Sequence, residues 1–206
     1  MIVIVDYGMG NIGSIANMLR KVGAEARISS DPSVIGAADK LILPGVGAFD
    51  QGMHNLGERG LIPLLRKKVL DEKTPILGVC LGMQLFAKGS EEGQCPGLGW
   101  LDATAIRFRA AASDGRLKVP HMGWNTLEPQ SPHPLLEGLE AQARFYFVHS
   151  FHLVCAHPSV VLTRTSYGSP FVSAIAQDNI LGVQFHPEKS HRFGMQLYRN
   201  FAHSAS

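Results

Sequence analysis

Charge is scarce in this chain: charged residues make up only 17% of the 206, and no run of basic side chains gathers them into a patch. With a formal net charge of +2, nucleic acid and anionic membrane surfaces are not the expected partners. Apolar residues reach 45%, yet no apolar stretch approaches the length that spans a bilayer. Cysteine is sparse as well. Cys80, Cys95 and Cys155 form an odd set without a C-x-x-C pair, which indicates neither a disulfide framework nor a zinc site. Met1 leads straight into Ile2-Val3-Ile4-Val5, without a basic segment or small-residue cleavage site, so the start reads as a first strand and not a signal peptide. Together these absences point to a cytoplasmic, reducing environment. No internal repeat and no linker-like stretch divides the chain, so a single domain with a sizeable core is expected.

What is present is organised around Pro75-Ile76-Leu77-Gly78-Val79-Cys80-Leu81-Gly82. The apolar run Ile76 to Val79 predicts a buried strand, with Pro75 at its start, where a missing N–H is tolerated. After Cys80 the spacing of Leu81, Leu85 and Phe86 becomes helical. Gly78 and Gly82 flank the cysteine two positions away on either side, giving G-x-C-x-G, the thiol form of the nucleophile elbow. A helix starting here aims its N-terminus at the sulfur and favours thiolate. Read alone, the stretch equally suits a free cysteine packed as a small hydrophobe.

Before the elbow, apolar runs alternate with helical patterns. Ile2 to Val5 reads as a strand, Ile12 to Val22 as a helix ended by Gly23, Ala24 to Ile28 and Lys40 to Leu43 as strands, and Leu61 to Leu70 as an amphipathic helix. Phe49 to Leu56 reads as loop or broken helix. This alternation predicts an α/β fold, a three-layer open and mostly parallel sheet with helices on both faces. The turn Asp6-Tyr7-Gly8-Met9-Gly10-Asn11 resembles a nucleotide-binding turn but lacks the third glycine. After Gly89 the texture becomes strand-rich and partly antiparallel. Ala103–Arg109, Met122–Leu127, Arg144–Val148, Val160–Thr165 and Phe171–Gln177 read as strands, and Ala110 to Gly115 as a hairpin tip. Ile180 to Phe185 returns as a buried strand, followed by a last helix capped by Ser190.

A cysteine nucleophile needs a base and a group to orient it. His186-Pro187-Glu188, just past a buried strand, supplies both, because residues two apart on extended chain face the same side. Taken alone, the same tripeptide also suits a surface turn. An oxyanion hole needs backbone donors. Leu81, the residue after the nucleophile, provides one, and the Gly45-Val46-Gly47 turn past the neighbouring strand, through Val46 and Gly47, provides the other. Glycine on both sides of Val46 also makes a peptide flip there sterically cheap.

Gly78-Val79-Cys80-Leu81-Gly82-Met83-Gln84 with His186-Pro187-Glu188 resembles the class I, or triad, glutamine amidotransferases. The stretches Asp6 to Asn11, Leu43 to Gly47, Pro120-His121-Met122-Gly123-Trp124-Asn125, Tyr146 to Ser150 and Gly182 to Ser190 resemble the branch serving imidazole glycerol phosphate synthases. The resemblance covers nearly the whole chain and implies one class I glutamine amidotransferase domain over residues 1–206. It further implies that glutamine is hydrolysed to glutamate and ammonia through a thioester on Cys80. The ammonia would pass to a (β/α)8-barrel cyclase subunit in histidine biosynthesis, with no cofactor and no metal. By the same analogy Gly45, Gln84, His149, Ser150 and Phe151 hold the substrate. Asn11, Met122, Trp124 and Asn125 are candidate contacts to the partner: Trp124, an aromatic in a polar-flanked loop, suits an interface anchor, and it also suits an ordinary core tryptophan. The family often carries tyrosine at the Phe151 position, so a hydroxyl contact there is not expected. Two readings stay open beside this one: a glutaminase serving another synthase or a related γ-glutamyl substrate, and a docking subunit that keeps the fold without catalysis.

Overall fold

The computed structural model describes residues 1–109 and 117–204; the expected hairpin tip at Ala110 to Gly115 lies outside them. The strands are β1 (Ile2–Val5), β2 (Ala26–Ser29), β3 (Lys40–Leu43), β4 (Ile76–Val79), β5 (Gly89–Ser90), β6 (Ala103–Arg107), β7 (His121–Thr126), β8 (Glu128–Pro129), β9 (Arg144–His149), β10 (Phe151–Cys155), β11 (Val161–Tyr167), β12 (Ser169–Gln177) and β13 (Ile180–Val183). The α-helices are α1 (Ile12–Lys21), α2 (Pro32–Gly36), α3 (Phe49–Glu58), α4 (Leu61–Arg66), α5 (Leu81–Gln84) and α6 (His191–His203). Among the described residues, eleven strands form one sheet along β2-β1-β3-β4-β13-β12-β10-β6-β5, with β11 and β8 branching from β12. The block from β2 to β13 is parallel throughout. From β13 to β12 the pairing turns antiparallel, and β7 and β9 form a separate antiparallel ribbon.

β1, β3, β4 and β13 are buried on both faces, which is why they read as unbroken apolar runs. Alternate residues feed opposite layers. Val3, Val5, Leu41 and Leu43 pack with Phe49, Leu56, Leu61 and Leu65 of α3 and α4. Ile2, Ile4, Ile42 and Leu77 pack with Ile15, Leu19, Leu197 and Phe201 of α1 and α6. This is the three-layer α/β arrangement expected, with the antiparallel second half extending one edge.

Four local expectations are corrected. Phe49–Leu56 is not broken helix but the continuous α3, despite Gly52 and Gly57. Burial of Phe49, Met53 and Leu56 outweighs glycine's cost, and a side chain on Gly52 would press within 3.2 Å of Leu85. The α4 helix widens into a π-turn over Lys67–Asp71. Strand β10 has no counterpart among the expected strands: only Ser150 separates it from β9, and no turn residue marks where the chain passes from one sheet to the other. Finally, Ser190 precedes α6 but its side chain does not cap it; the hydroxyl donates to the His186 carbonyl at 2.6 Å and accepts from the Tyr146 N–H at 3.0 Å.

Candidate active site

β4 lies between β3 and β13, with Gly78 opposite Leu43 and Gly182. At its end the Cys80 N–H donates to the Val183 carbonyl (2.8 Å), and the chain turns with φ 54° and ψ −109° at Cys80. A non-glycine residue here is strained. Both flanking glycines are required by close approach. A Cβ on Gly78 would fall 2.7 Å from the Met83 nitrogen, and one on Gly82 would run into the Leu43 carbonyl. The helix expected to start here and aim its N-terminus at the sulfur is present but is a single turn, Leu81–Gln84, so its dipole is small. What remains are individual N–H groups. Leu81 N–H has no acceptor among the described residues.

The Pro44–Gly47 turn packs against this elbow. A Cβ on Gly45 would lie 2.6 Å from the Gly82 nitrogen, so Gly45 is a spacer behind the cavity and not part of its lining, contrary to its expected substrate role. Tyr7, fully buried, donates its hydroxyl to the Pro44 carbonyl at 2.6 Å. Val46 is 47% exposed, and Gly47 takes φ +124°.

From the other side, His186 is docked on β9: its N–H donates to the Tyr146 carbonyl at 2.8 Å, and Ser190 ties the same turn at both ends. His186 Nδ1 sits 2.8 Å from Glu188 Oε1, both side chains 1% exposed. Asn11 donates to that same carboxylate oxygen at 2.9 Å. Asn11, an expected partner contact, is partly exposed and also steadies the carboxylate beside His186. Burial opposes charge on Glu188, but the imidazole and the Asn11 amide outweigh it and hold the carboxyl below its ordinary value. Burial likewise opposes charge on His186. The Cys80 sulfur and the Glu188 carboxylate reverse this and push the imidazole well up. Its Nε2 is buried and has no hydrogen-bond partner among the described residues.

Cys80, Leu81, Val46, Gly47, Gln84, His149, Ser150, Phe151 and His186 line one cavity of about 240 Å³. A wider depression of about 690 Å³ lies between Pro129 and Glu137; its lining includes Ser131 and His133 but no cysteine. Among the expected substrate residues, Gln84 donates to the Phe151 carbonyl at 3.0 Å, and so does His149 Nδ1 at 2.8 Å. His149 Nε2 meets His121 Nδ1 at 3.1 Å. Burial pushes the His149 pKa down to about 3 and that of His121 to about 4, so both are neutral near pH 7. On the ribbon, Met122 and Trp124 are 62% and 46% exposed, and Trp124 stacks on His191. Asn125, half-buried, donates to the Ser166 carbonyl at 3.0 Å.

Three groups escaped the sequence reading. Glu92 lines the cavity and accepts from the Phe49 N–H at 2.8 Å; nothing in its surroundings in the chain marks it. Tyr7 lies in a glycine-rich turn that suggests only backbone roles. Gln184 was legible in principle, as a lone polar residue inside the apolar run Ile180 to Phe185. Among the described residues no group of three or more His, Cys, Asp or Glu could hold a metal ion, and no helix is long and apolar enough to cross a membrane.

The comparisons agree with this geometry. The family model described as Glutamine amidotransferase class-I matches residues 3–205. The chain is 53% identical over 201 residues to imidazole glycerol phosphate synthase subunit HisH 2 of Pseudomonas aeruginosa, covering 98% of each. It is 52% identical over 205 residues to the subunit of the same name from Methanococcus maripaludis, covering all of both. Among solved structures, PurLQS from Thermotoga maritima shares the fold at a TM-score of 0.71 and 19% identity, over 97% of this chain and 95% of that one. A crystal structure of a glutamine amidotransferase matches at 0.65 and 25% identity, over 95% and 98%. A strained cysteine at an elbow, a buried His–Glu pair beside it and a family match over nearly every residue lead to one assignment: the chain is an enzyme of the class-I glutamine amidotransferase family, and within it belongs with the HisH subunits of imidazole glycerol phosphate synthase.

Proposed function

We propose that residues 1–206 form one amidotransferase domain in which Cys80, His186 and Glu188 hydrolyse glutamine for a (β/α)8-barrel cyclase subunit. One observation carries this reading: the strained Cys80 opens into the same 240 Å³ cavity as His186, whose other ring nitrogen is held by Glu188 at 2.8 Å. Cys80 Sγ attacks the side-chain carboxamide carbon of glutamine. The oxygen that gains charge is held by the Leu81 N–H and by a donor of the Val46-Gly47 turn. As the C–N bond breaks, His186 passes a proton to the departing nitrogen, and ammonia leaves. His186 then takes a proton from water, which attacks the thioester carbon; glutamate departs and the thiolate is restored. Glu188, steadied by Asn11, keeps the imidazole in one tautomer and stabilises its charged form.

Gln84, His149, Ser150 and Phe151 shape the end of the cavity that takes the amino-acid part of glutamine. The Glu92 carboxylate suits its ammonium group. The exposed Met122 and Trp124 suit the cyclase interface, an aromatic beside polar loop residues being a typical anchor. Contact there would favour the orientation of the Val46-Gly47 peptide that points a donor at the substrate, so that glutamine is split only in the complex. Three free cysteines suit a reducing cytoplasm. The test is glutamine hydrolysis with and without the cyclase subunit and its ribotide substrate, for wild type and Cys80→Ala. Cys80→Ala should abolish glutamine-dependent synthesis and leave ammonia-dependent synthesis intact. Residual glutamine use by folded Cys80→Ala refutes the assignment.

A further inference from the structure

We infer that Gln184 is the amide donor that holds the Cys80 sulfur, and that its orientation is dictated, through Gln84, by the main-chain carbonyl of Phe151. The inference rests on the reading of Cys80 as nucleophile. Gln184 follows β13 and is completely buried, between Val183 and Phe185, which are buried too. A primary amide in such a place is costly unless its donors and acceptor are matched. The match is found in the site. Gln184 Nε2 lies 3.6 Å from Cys80 Sγ, and Gln184 Oε1 accepts from Gln84 Nε2 at 3.1 Å.

Amide oxygen and nitrogen look alike by shape, so the polarity of such a pair must come from a fixed partner. Here it does. The Phe151 carbonyl can only accept, so the Gln84 atom 3.0 Å away is its nitrogen. That nitrogen also faces Gln184, so the Gln184 atom opposite must be oxygen. The Gln184 nitrogen is then left toward the sulfur. The Phe151 carbonyl is itself pinned by His149 Nδ1 at 2.8 Å, and His149, neutral by burial, keeps that proton throughout the working pH range. Each link is a donor meeting an acceptor, and neither glutamine has an orphaned buried atom among the described residues.

An N–H facing sulfur favours the thiolate over the thiol and lowers the reactivity of each thiolate. The one-turn helix after Cys80 supplies little dipole, so this donor has a place beside the imidazole. The groups that titrate around the sulfur are His186, Glu188 behind it, Tyr7 and the cavity-lining Glu92 and His149. All are unchanged in the variants below.

The experiment is the pH profile of Cys80 alkylation by iodoacetamide, followed by peptide mapping, in wild type and Gln184→Met. Methionine keeps the length and removes the donor. A hydrogen bond to a charged acceptor, long at 3.6 Å, is expected to change thiolate formation by roughly ten-fold. The profile should therefore move up by about one pH unit, while the high-pH plateau rises about three-fold. Slower labelling at low pH with faster labelling at the plateau is a crossing that loosened packing does not produce. Should Gln184→Met fail to fold, Gln84→Glu and Gln84→Met together decide. Glutamate reaches the same place without a donor, and Gln84→Met removes the donor without adding charge. The relay predicts an upward shift in both, whereas a shift in Gln84→Glu alone is the new carboxylate's repulsion and overturns the relay. If Cys80 labels rapidly in wild type and the folded variant's profile does not move up, this inference alone is overturned. If Cys80 of wild type labels no faster than Cys95 and Cys155, the nucleophile reading falls and this one with it.

Discussion

His149 is buried (6% exposed) between a carbonyl acceptor and another histidine, and this makes the fold acid-sensitive in a calculable way. Burial lowers its pKa from 6.5 to about 3. Between those values the unfolded chain binds a proton that the folded chain refuses, so stability falls as pH drops below about 6.5 and keeps falling toward 3. One pH unit within the window is worth about 1.36 kcal/mol. From pH 8 to pH 5 the site therefore costs about 2 kcal/mol, or roughly 4–8 °C in Tm for a chain of this size. His121, lowered to about 4, and His152, lowered by burial as well, add to the wild-type loss, whereas His186, raised to about 10, stabilises more at pH 5 than at pH 8 and opposes it; all three are common to wild type and variant. The perturbation that isolates His149 is His149→Gln, since glutamine keeps a donor for Phe151 and an acceptor for His121 without titrating. Thermal melts of both proteins at pH 8 and pH 5 should show the variant losing about 4–8 °C less than wild type. Equal losses in two proteins that are both folded at pH 8 would refute the neutral-histidine account.

Further outcomes follow from the same coordinates. His186→Ala should cut glutaminase kcat by roughly 10⁴-fold or more, and Glu188→Gln by one to two orders less, because the imidazole moves protons while the carboxylate orients it; equal losses would mean the roles are misassigned. Cys80→Gly should be more stable than Cys80→Ala by about 1 kcal/mol in urea titrations, the reverse of the usual order, because only glycine occupies φ 54° without strain. Trp124→Ala should leave the isolated fold within about 1 kcal/mol of wild type, since the ring is nearly half exposed, yet weaken binding of the cyclase subunit by ten-fold or more; calorimetry of the pair checks it.

The legible parts of this molecule were those where one physical demand fixes the residue. Doubly buried parallel strands must be apolar throughout, so β1, β3, β4 and β13 stood out. Two glycines around Cys80 are demanded by backbone contacts, so the elbow did too. Asn11 is different. Its bond to Glu188 spans 177 positions, and nothing beside it in the chain says that a carboxylate will arrive there, so a surface role looked equally good. Glu92 and Tyr7 share that reason. The α3 helix was hidden by local propensity, which its buried face overrides, and β10 by the single residue separating it from β9. Ser190 had the residue type of a helix cap, but its hydroxyl is committed to the turn that carries His186.

The two halves of the site differ in how firmly the chain holds them. Cys80 is fixed by β13 through its N–H, His186 by β9 and Ser190, and Glu188 by His186 and Asn11; moving any one breaks a buried hydrogen bond. On the opposite side, Tyr7 fixes only the Pro44 carbonyl, and Gly45 is wedged against Gly82. Beyond Gly45 the restraint ends. Val46 is 47% exposed, and what a Cβ on Gly47 would meet is the flexible end of Met9. Reorientation is therefore cheapest at the Val46-Gly47 peptide, and it need not disturb the nucleophile. One misdirected donor costs roughly 10²–10³ in rate, so under the proposed mechanism control of this single peptide would be enough to separate an idle subunit from a working one.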